Sequence, residues 1–259
     1  MLNTIEQGAP KPGVSAKYQF VSTREILNAL EDRGWEPFNV QIKHANKVEN
    51  QGYEKHLIRL RNVKYNQSSL QGVVPEIVLM NSHDAGNSFQ LMAGMFRVVC
   101  SNGLITATNL YGSSRIVHVG YAVEKVYCAV DQIEHSFEQI ISKIKDFQQI
   151  ELSREETEDY AVKACLLRWE EGKLPSTTIL LRLHRQEDTK PTLWNVYNVI
   201  QENMLRGAHG GWYQGRRRVS IRATRNIDLT VKINLGLWKL AEEIAVSKVE
   251  ENKQAVVLV

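Results

Sequence analysis

Two spacings of apolar residues divide the chain into a half typical of strands and a half typical of helices. Between positions 36 and 121, apolar residues alternate with polar ones, as Phe38, Val40 and Ile42 do, or form short continuous runs. That pattern predicts a mainly antiparallel sheet. From position 122 to 249, apolar residues recur at steps of three and four, which predicts long helices. The sequence therefore predicts an α+β fold, in which the sheet of the N-terminal half packs with long helices from the C-terminal half.

Short signals mark the predicted ends of elements in the sheet-rich half. Ser22 and Glu25 form a capping box that opens a helix, and Gly34 provides the left-handed residue that ends it. Asn102 and Gly103 lie between two apolar runs and predict the turn of a hairpin, because both residues tolerate positive φ.

The clearest predicted helix covers residues 122–150. Its apolar residues repeat as a heptad seam about three heptads long. Such a seam fits packing on the sheet or on the next helix, and it also fits a contact between subunits, which is the basis for expecting a homo-oligomer. The seam consists of Val126, Val130, Ile133, Phe137, Ile140, Ile144 and Phe147.

Further signals place the remaining elements of the helix-rich half. Ser153 and Glu156 form a second capping box. Residues 178–185 have the pattern of a strand. Another helix is predicted between Pro191, which opens it, and Gly207, which ends it.

The domain organisation follows from composition. Residues 1–20 are rich in Gly, Pro and Lys and predict a flexible N-terminal arm. No linker separates the sheet-rich half from the helix-rich half, so residues 21–249 are predicted to form a single α+β domain. The final helix is expected to end near residue 249, which leaves residues 250–259 as a C-terminal tail.

The charge of the chain is concentrated in one place. Its net charge is only +3, and its 43% hydrophobic and 24% charged residues are ordinary for a globular protein. Residues 207–225, by contrast, hold five arginines and no carboxylate, and Arg206 precedes them. Guanidinium groups bind phosphate oxygens in a bidentate fork, and the neighbouring Trp212 and Tyr213 offer flat rings on which unpaired bases stack.

This arginine-rich segment, residues 206–225, is therefore predicted to bind nucleic acid, and single-stranded DNA is favoured because its bases are free to stack. A solvated surface loop is the alternative interpretation of the same residues. The predicted contact residues are Arg206, Trp212, Tyr213, Arg216, Arg217, Arg218, Arg222 and Arg225.

The chain carries no complete catalytic motif. It has neither GxGxxG nor the P-loop pattern, so nucleotide hydrolysis is not supported. His83 and Asp84, in the string NSHD, are the catalytic candidates, although the same string fits a turn closed by Asx-type hydrogen bonds. Together with His56 and His118 from the same half, they are also candidate ligands for a divalent metal such as Zn²⁺ or Mn²⁺. No other cofactor is predicted.

The cysteines and the lengths of the apolar runs indicate the cellular compartment of the protein. Three cysteines without a CxxC pair argue against a disulfide framework and for a reducing compartment. No apolar run approaches the roughly 20 residues that span a bilayer. The N-terminus lacks the basic start and apolar core of a signal peptide. A cytoplasmic protein with no membrane partner is expected.

Several strings of the chain together resemble a protein family carried by phages, prophages and plasmids, known as the domain of unknown function numbered nine-thirty-two. The similarity covers roughly residues 20–245, most of the chain. It implies a protein of a mobile element in a bacterial cytoplasm, and it brings no catalytic residues with it. The strings lie at residues 22–30, 34–35, 56–61, 75–84, 94–104 and 193–202.

These observations favour a non-enzymatic protein that binds or anneals single-stranded DNA in recombination, acting as an oligomer. Two alternatives stay open at this point. One is an effector of a mobile element that binds a host defence protein or its nucleotide signal. The other is a metal-dependent nuclease that uses His83 and Asp84.

Overall fold

A computed structural model of the chain describes residues 3–16, 18–66, 72–97, 102–106, 114–116, 123–208 and 211–257. The chain divides into two compact units, Met1–Ile140 and Ile141–Val259. We call them unit 1 and unit 2 and describe each by itself. None of the helices formed by the described residues is both long and apolar enough to cross a membrane.

Unit 1 is built on an antiparallel sheet. Its described strands follow the order β1-β2-β3-β4-β5, and β6 pairs with β4. The α+β class and the mainly antiparallel sheet of the N-terminal half are thereby confirmed. The strands are β1 (Trp35–Ile42), β2 (His56–Asn62), β3 (Val73–Asn81), β4 (Phe89–Arg97), β5 (Asn102–Thr106) and β6 (Ser114–Ile116).

The described residues of unit 1 also form three α-helices, which are α1 (Thr23–Glu31), the four-residue α2 (Val63–Asn66) and the first part of α3 (Val123–Gln149), and a 3-10 turn at Val48–Asn50. The predicted start of α1 is confirmed, because the Ser22 hydroxyl accepts the backbone N–H of Glu25 at 3.3 Å. Gly34, with a φ of 79°, lies in the left-handed conformation after the helix, as predicted.

The heptad seam of α3 is buried in the chain itself. All of its residues are at most 2% exposed. In unit 1 the ring of Phe137 packs against those of Trp35 and Tyr65, and in unit 2 the ring of Phe147 packs against that of Trp238. The seam therefore offers no free face for the subunit contact considered above, and the interpretation as internal packing is correct.

Strand β1 lies where predicted, but it is an exposed edge rather than a half-buried strand. Among the described strands it pairs only with β2, and all its residues between Trp35 and Ile42 are exposed. The register passes from Pro37 directly to Asn39, so Phe38 is the extra residue of a β-bulge. Since a bulge re-aims a side chain, Phe38 and Val40 do not build a buried face.

The predicted hairpin between β4 and β5 exists, but its turn does not lie at Asn102 and Gly103. These residues begin β5, with Asn102 opposite Arg97 and Gly103 opposite Phe96. Strand β4 is held in register by its long pairing with β3, all of whose residues are buried. This pairing outweighs the local preference of an Asn-Gly pair for a tight turn.

Unit 2 is mainly helical. Its aromatic core contains Trp194 and Tyr197, stacked with 5.7 Å between ring centroids, and Trp238, whose ring meets that of Tyr197 edge-on. The capping box of Ser153 and Glu156 is confirmed in both directions. The elements are the end of α3, then α4 (Arg154–Cys165), α5 (Thr177–Leu180), α6 (Leu193–Arg206), β7 (Trp212–Gln214), β8 (Arg217–Val219) and α7 (Ile227–Val257).

The strand predicted at residues 178–185 is wrong, because the chain forms the short helix α5 there and then an irregular segment. Asn203 of α6 explains the difference. Its Nδ2 donates to the carbonyl oxygens of Leu180 at 2.8 Å and Arg182 at 3.0 Å. These carbonyl groups find their partner in a side chain, so the segment needs no neighbouring strand.

Both ends of the chain have more structure than their composition suggested. In the predicted arm, Ile5 is buried, Thr4 Oγ1 donates to the carbonyl oxygen of Glu54 at 3.1 Å, and Lys11 N donates to that of His83 at 2.8 Å. At the other end, α7 continues to Val257 and so takes in most of the predicted tail.

Candidate nucleic-acid interface

The arginine-rich segment begins at a backbone junction that only glycine fits. Gly207 ends α6 with a φ of 88° and a ψ of 153°, a region that other residues rarely enter. A Cβ atom at this position would lie 2.7 Å from the carbonyl oxygen of Ile221. The close approach lets Ala208 N donate to that same oxygen at 3.2 Å, while Gly207 bridges Arg222. The two ends of the segment are thus joined.

Between these ends, the segment forms a β-hairpin of two short strands. Strands β7 and β8 pair antiparallel, with Gln214 opposite Arg217, so Gly215 and Arg216 form a two-residue turn. Gly215 has a φ of 63° and stands first in the turn, the position that a type II′ turn reserves for glycine. Gly215 therefore allows the tight turn that joins the two strands.

The register assigns the consecutive arginines to different faces of the hairpin. Tyr213 lies opposite Arg218, so these side chains share one face. Gly211 belongs to the same face, and a Cβ there would lie 3.2 Å from Nε of Arg218. Arg217 precedes Arg218 in the strand and points to the other face. We call Tyr213 and Arg218 the stacking face.

The arginines of the hairpin and the two that follow it present their charges to solvent. Arg216, Arg217 and Arg218 are exposed, as are Arg222 and Arg225 beyond the hairpin. Among the described residues, none of these five forms an ion pair with a carboxylate. Other exposed cations of unit 2 do, such as Lys163 with Asp159 at 2.7 Å. The segment is therefore a local site of positive potential.

Three of the predicted nucleic-acid contacts remain: Tyr213, Arg206 and Trp212. Tyr213 is 72% exposed, which leaves its ring accessible. Arg206 is exposed at the end of α6 and contributes its charge to the environment of Glu202. Trp212 belongs to β7, but its side chain lies outside the part of the chain that the structure describes.

Arg168 supports the base of the hairpin, a role that the sequence did not reveal. Its guanidinium donates to the carbonyl oxygen of Met204 in α6 and, at 2.7 Å, to that of Arg222. Burial lowers the pKa of Arg168. Arg168 lies in residues 151–171, a stretch dominated by acidic residues. Its position in the sequence therefore gave no sign that it bonds to the backbone of the arginine-rich segment.

The catalytic and metal candidates of unit 1 lie in a buried hydrogen-bond network. His56 Nδ1 is 2.9 Å from the carbonyl oxygen of Glu54, which only accepts, so Nδ1 carries the proton. His56 Nε2 then accepts the hydroxyl hydrogen of Thr23 at 2.8 Å. Because Thr23 has no second hydrogen, His83 Nε2 donates to Thr23 Oγ1 at 3.2 Å, and Asn81 Nδ2 also donates to it at 3.0 Å.

This network gives both histidines a structural explanation. His56 and His83 are fully buried, and burial lowers the pKa of His56, which keeps its ring neutral. Both nitrogens of His56 are engaged in hydrogen bonds, so neither lone pair is directed at a metal. Across the described residues, no group of three or more His, Cys, Asp or Glu side chains is arranged to hold a metal ion. His118 lies outside those residues.

The rest of the NSHD string forms the turn that its composition suggested. Asp84 Oδ1 accepts the backbone N–H of Gly86 at 2.9 Å, which is an Asx-type bond. Tyr18 donates its hydroxyl to the carbonyl oxygen of Ser82 at 3.1 Å. Burial, with a contribution from the Asp84 charge, raises the pKa of Tyr18 to about 12. The string thus anchors the N-terminal segment to the end of β3.

Unit 1 also contains an arrangement of arginine and phenylalanine that the sequence did not predict. Arg61 of β2 places its guanidinium carbon 3.6 Å from the ring centroid of Phe38 and 4.1 Å from that of Phe96. Glu76 of β3 accepts from both Arg59 and Arg61. These residues come from four strands, so only the sheet register brings them together.

Comparisons with known proteins show which family this sequence resembles. The family described as Domain of unknown function (DUF932) matches residues 13–238. UPF0380 protein YfjQ of Escherichia coli (strain K12) is 33% identical over 232 residues, which are 89% of this chain and 83% of the relative. UPF0380 protein YafZ of the same organism is 32% identical with the same coverage of both chains. No solved structure matches the chain.

Proposed function

The chain belongs to the DUF932 family, and from the geometry of its hairpin we propose that it is a non-enzymatic protein that binds nucleic acid. Its favoured ligand is single-stranded DNA, which it holds or anneals during recombination on a phage or plasmid. The observation that carries the proposal is the exposed hairpin, in which three consecutive arginines lack carboxylate partners among the described residues.

The charge of the hairpin suits a polyanion. Each exposed guanidinium that meets a phosphate releases a condensed counterion, and this release drives the binding of proteins to nucleic acids. The hairpin concentrates Arg216, Arg217 and Arg218 at its tip, where they are separated by no acidic residue. Bonds from Arg168 and the junction at Gly207 hold the base in place, so the binding surface is preorganised.

The stacking face supports a single strand over a duplex. Tyr213 is exposed, and its neighbour across the hairpin is Arg218, whose guanidinium is also planar. Aromatic rings bind unpaired bases through their faces, and such faces are hidden inside a duplex. A phosphate contact from Arg218 and a stacked base on Tyr213 fit adjacent parts of one nucleotide strand.

The experiment that tests the proposal compares two triple variants in binding to fluorescently labelled single-stranded DNA. Replacing Arg216, Arg217 and Arg218 by Ala is expected to weaken binding roughly tenfold or more near physiological salt. The matched control replaces Arg154, Lys163 and Lys239, exposed cations of unit 2 that already pair with carboxylates on their own helices. It removes the same charge and is expected to change affinity by only about twofold. Equal affinities of the two variants would contradict the proposal.

A second measurement on the same samples addresses assembly. We propose that the DNA-bound form is a homo-oligomer, whose contact lies elsewhere than the buried seam of α3. Light scattering with and without DNA gives the mass directly. A single-chain mass in both states would remove the oligomer from the proposal and leave the binding of DNA intact.

A further inference from the structure

At the exposed edge strand β1 of the unit 1 sheet, the ring of Phe38 packs against the positively charged guanidinium of Arg61. The guanidinium of Arg61 lies against the ring of Phe38 and also against that of Phe96. Arg61 Nε donates to Glu76 Oε1 at 2.7 Å, and Arg59 Nε donates to Glu76 Oε2 at 2.6 Å. Glu76 is 1% exposed, so the carboxylate that binds both arginines is buried. Charge-assisted hydrogen bonds of this kind are short and strong, and they hold both guanidinium groups in place.

The β-bulge directs Phe38 to this position. In a regular strand Phe38 would follow the alternation of its neighbours, but the register skips it between Pro37 and Asn39. The displaced ring covers the guanidinium of Arg61 and yet remains 54% exposed. A single exposed phenylalanine is ordinary on a protein surface. Phe38 differs because a bulge and a buried ion pair together hold its ring with a large part of it open to solvent.

The charges and the ring define the chemistry of a ligand. Arg59 and Arg61 share the single carboxylate of Glu76, so the cluster carries one net positive charge. A cation against one face of a phenyl ring draws electron density toward it, which favours an electron-rich flat group on the accessible face. A nucleobase is such a group, and its phosphates complement the net charge.

We propose that Phe38, supported by Arg61 and Glu76, is a stacking platform for an unpaired nucleobase of single-stranded nucleic acid. This Phe38 platform belongs to unit 1, whereas the hairpin belongs to unit 2. Its ligand chemistry matches that of the proposed function, but its residues and contacts are separate. The platform is rigid before binding, because the bonds of Glu76 hold the guanidinium on which the ring rests.

The test measures the affinity of variants of the full chain for a labelled oligothymidine. Phe38→Ala and Phe38→Leu both remove the flat ring and are expected to weaken binding about 5- to 100-fold, the effect of losing one stacked base. Phe38→Tyr keeps the ring and is expected to retain the affinity. Val40→Ala, on the same strand and 41% exposed, is the matched control and is expected to leave binding unchanged.

The salt dependence separates this site from the hairpin. Phe38 is uncharged, so Phe38→Ala is expected to lower affinity without changing the slope of log affinity against log salt, whereas loss of the hairpin arginines changes that slope. Loss of affinity in Phe38→Ala but not in the hairpin variant would uphold the platform and reject the hairpin as a binding surface for the nucleic acid. The reverse result would reject the platform alone.

A second readout does not depend on the stability of the variants. Ultraviolet crosslinking of the unaltered protein to a bromouracil oligonucleotide, followed by peptide mapping, reports which segments touch a base. A crosslink in the peptide that contains β1 supports the platform. Unchanged affinity of Phe38→Leu together with no crosslink in that peptide would overturn it.

Discussion

Tyr213 and Arg218 lie opposite each other on the two strands of the hairpin, so a ring and a guanidinium share one face, while Arg217 points to the other. The room for Arg218 on this face comes from Gly211, where a Cβ would approach its side chain to 3.2 Å. One face of the hairpin can therefore contact both parts of a nucleotide, because an aromatic ring stacks on a base and a guanidinium binds a phosphate.

Replacement of Tyr213 by Ala therefore tests the preference for single strands. We expect the affinity for single-stranded DNA to fall about 5- to 100-fold and the affinity for duplex DNA to change little, because duplex bases have no free face for the ring. Fluorescence anisotropy with both ligands measures the two affinities. Tyr213→Phe keeps the ring and serves as the control. A parallel loss of affinity for both ligands would show that Tyr213 acts through the fold of the hairpin.

The junction at Gly207 gives a prediction for stability. Gly207→Ala places a Cβ 2.7 Å from the Ile221 carbonyl oxygen in a conformation that disfavours alanine, and we expect a loss of about 1–3 kcal/mol in the free energy of unfolding. Denaturant unfolding measures this loss. Gly8→Ala is the control, because no atom lies within 4 Å of a Cβ there. Equal stability of the two variants would contradict the close approach of Gly207, at the end of α6, to the Ile221 carbonyl oxygen.

The network around Thr23 predicts how stability depends on pH. Burial lowers the pKa of His56 below its usual 6.5, so the unfolded chain binds this proton more readily than the folded one. The stabilisation is present above pH 6.5 and is lost as the pH falls from there through the folded pKa. We expect the free energy of unfolding to decrease as the pH falls below about 6.5, and His56→Gln to flatten that decrease.

The control for this effect is His44→Gln, since His44 is exposed and no part of the network. It is expected to keep the pH dependence of the unaltered protein. A decrease of equal slope in the His56→Gln variant would assign the pH dependence to other groups. Denaturant titrations at several pH values above and below 6.5 provide the comparison.

Local signals in the sequence predicted local structure well. The capping box of Ser153 and Glu156 needs only residues within one helical turn, and it forms as predicted. The heptad pattern also identified the buried face of α3, because burial repeats with the helical period. Family membership was recognisable from strings spread along most of the chain, and the comparisons confirm it.

Predictions failed where a distant residue decides the local conformation. Asn203 satisfies the carbonyl groups of residues 180 and 182, so no strand forms there. Asn102 and Gly103 begin a strand because β3 holds β4 in register. The contact of Arg61 with Phe38 depends on a bulge in β1. Spacing along the chain carries no signal for such contacts, which arise only when the sheet or the helices assemble.

Binding of single-stranded DNA by the hairpin is best tested by a salt titration of the unaltered protein and of the variant with Arg216, Arg217 and Arg218 replaced by Ala. Each phosphate contact on a single strand contributes a slope of about −0.7 in log affinity against log salt, so the variant should lose about two units of slope. We expect a steep salt dependence of affinity in the unaltered protein and a flatter one in the variant. Parallel lines of equal affinity would contradict this expectation.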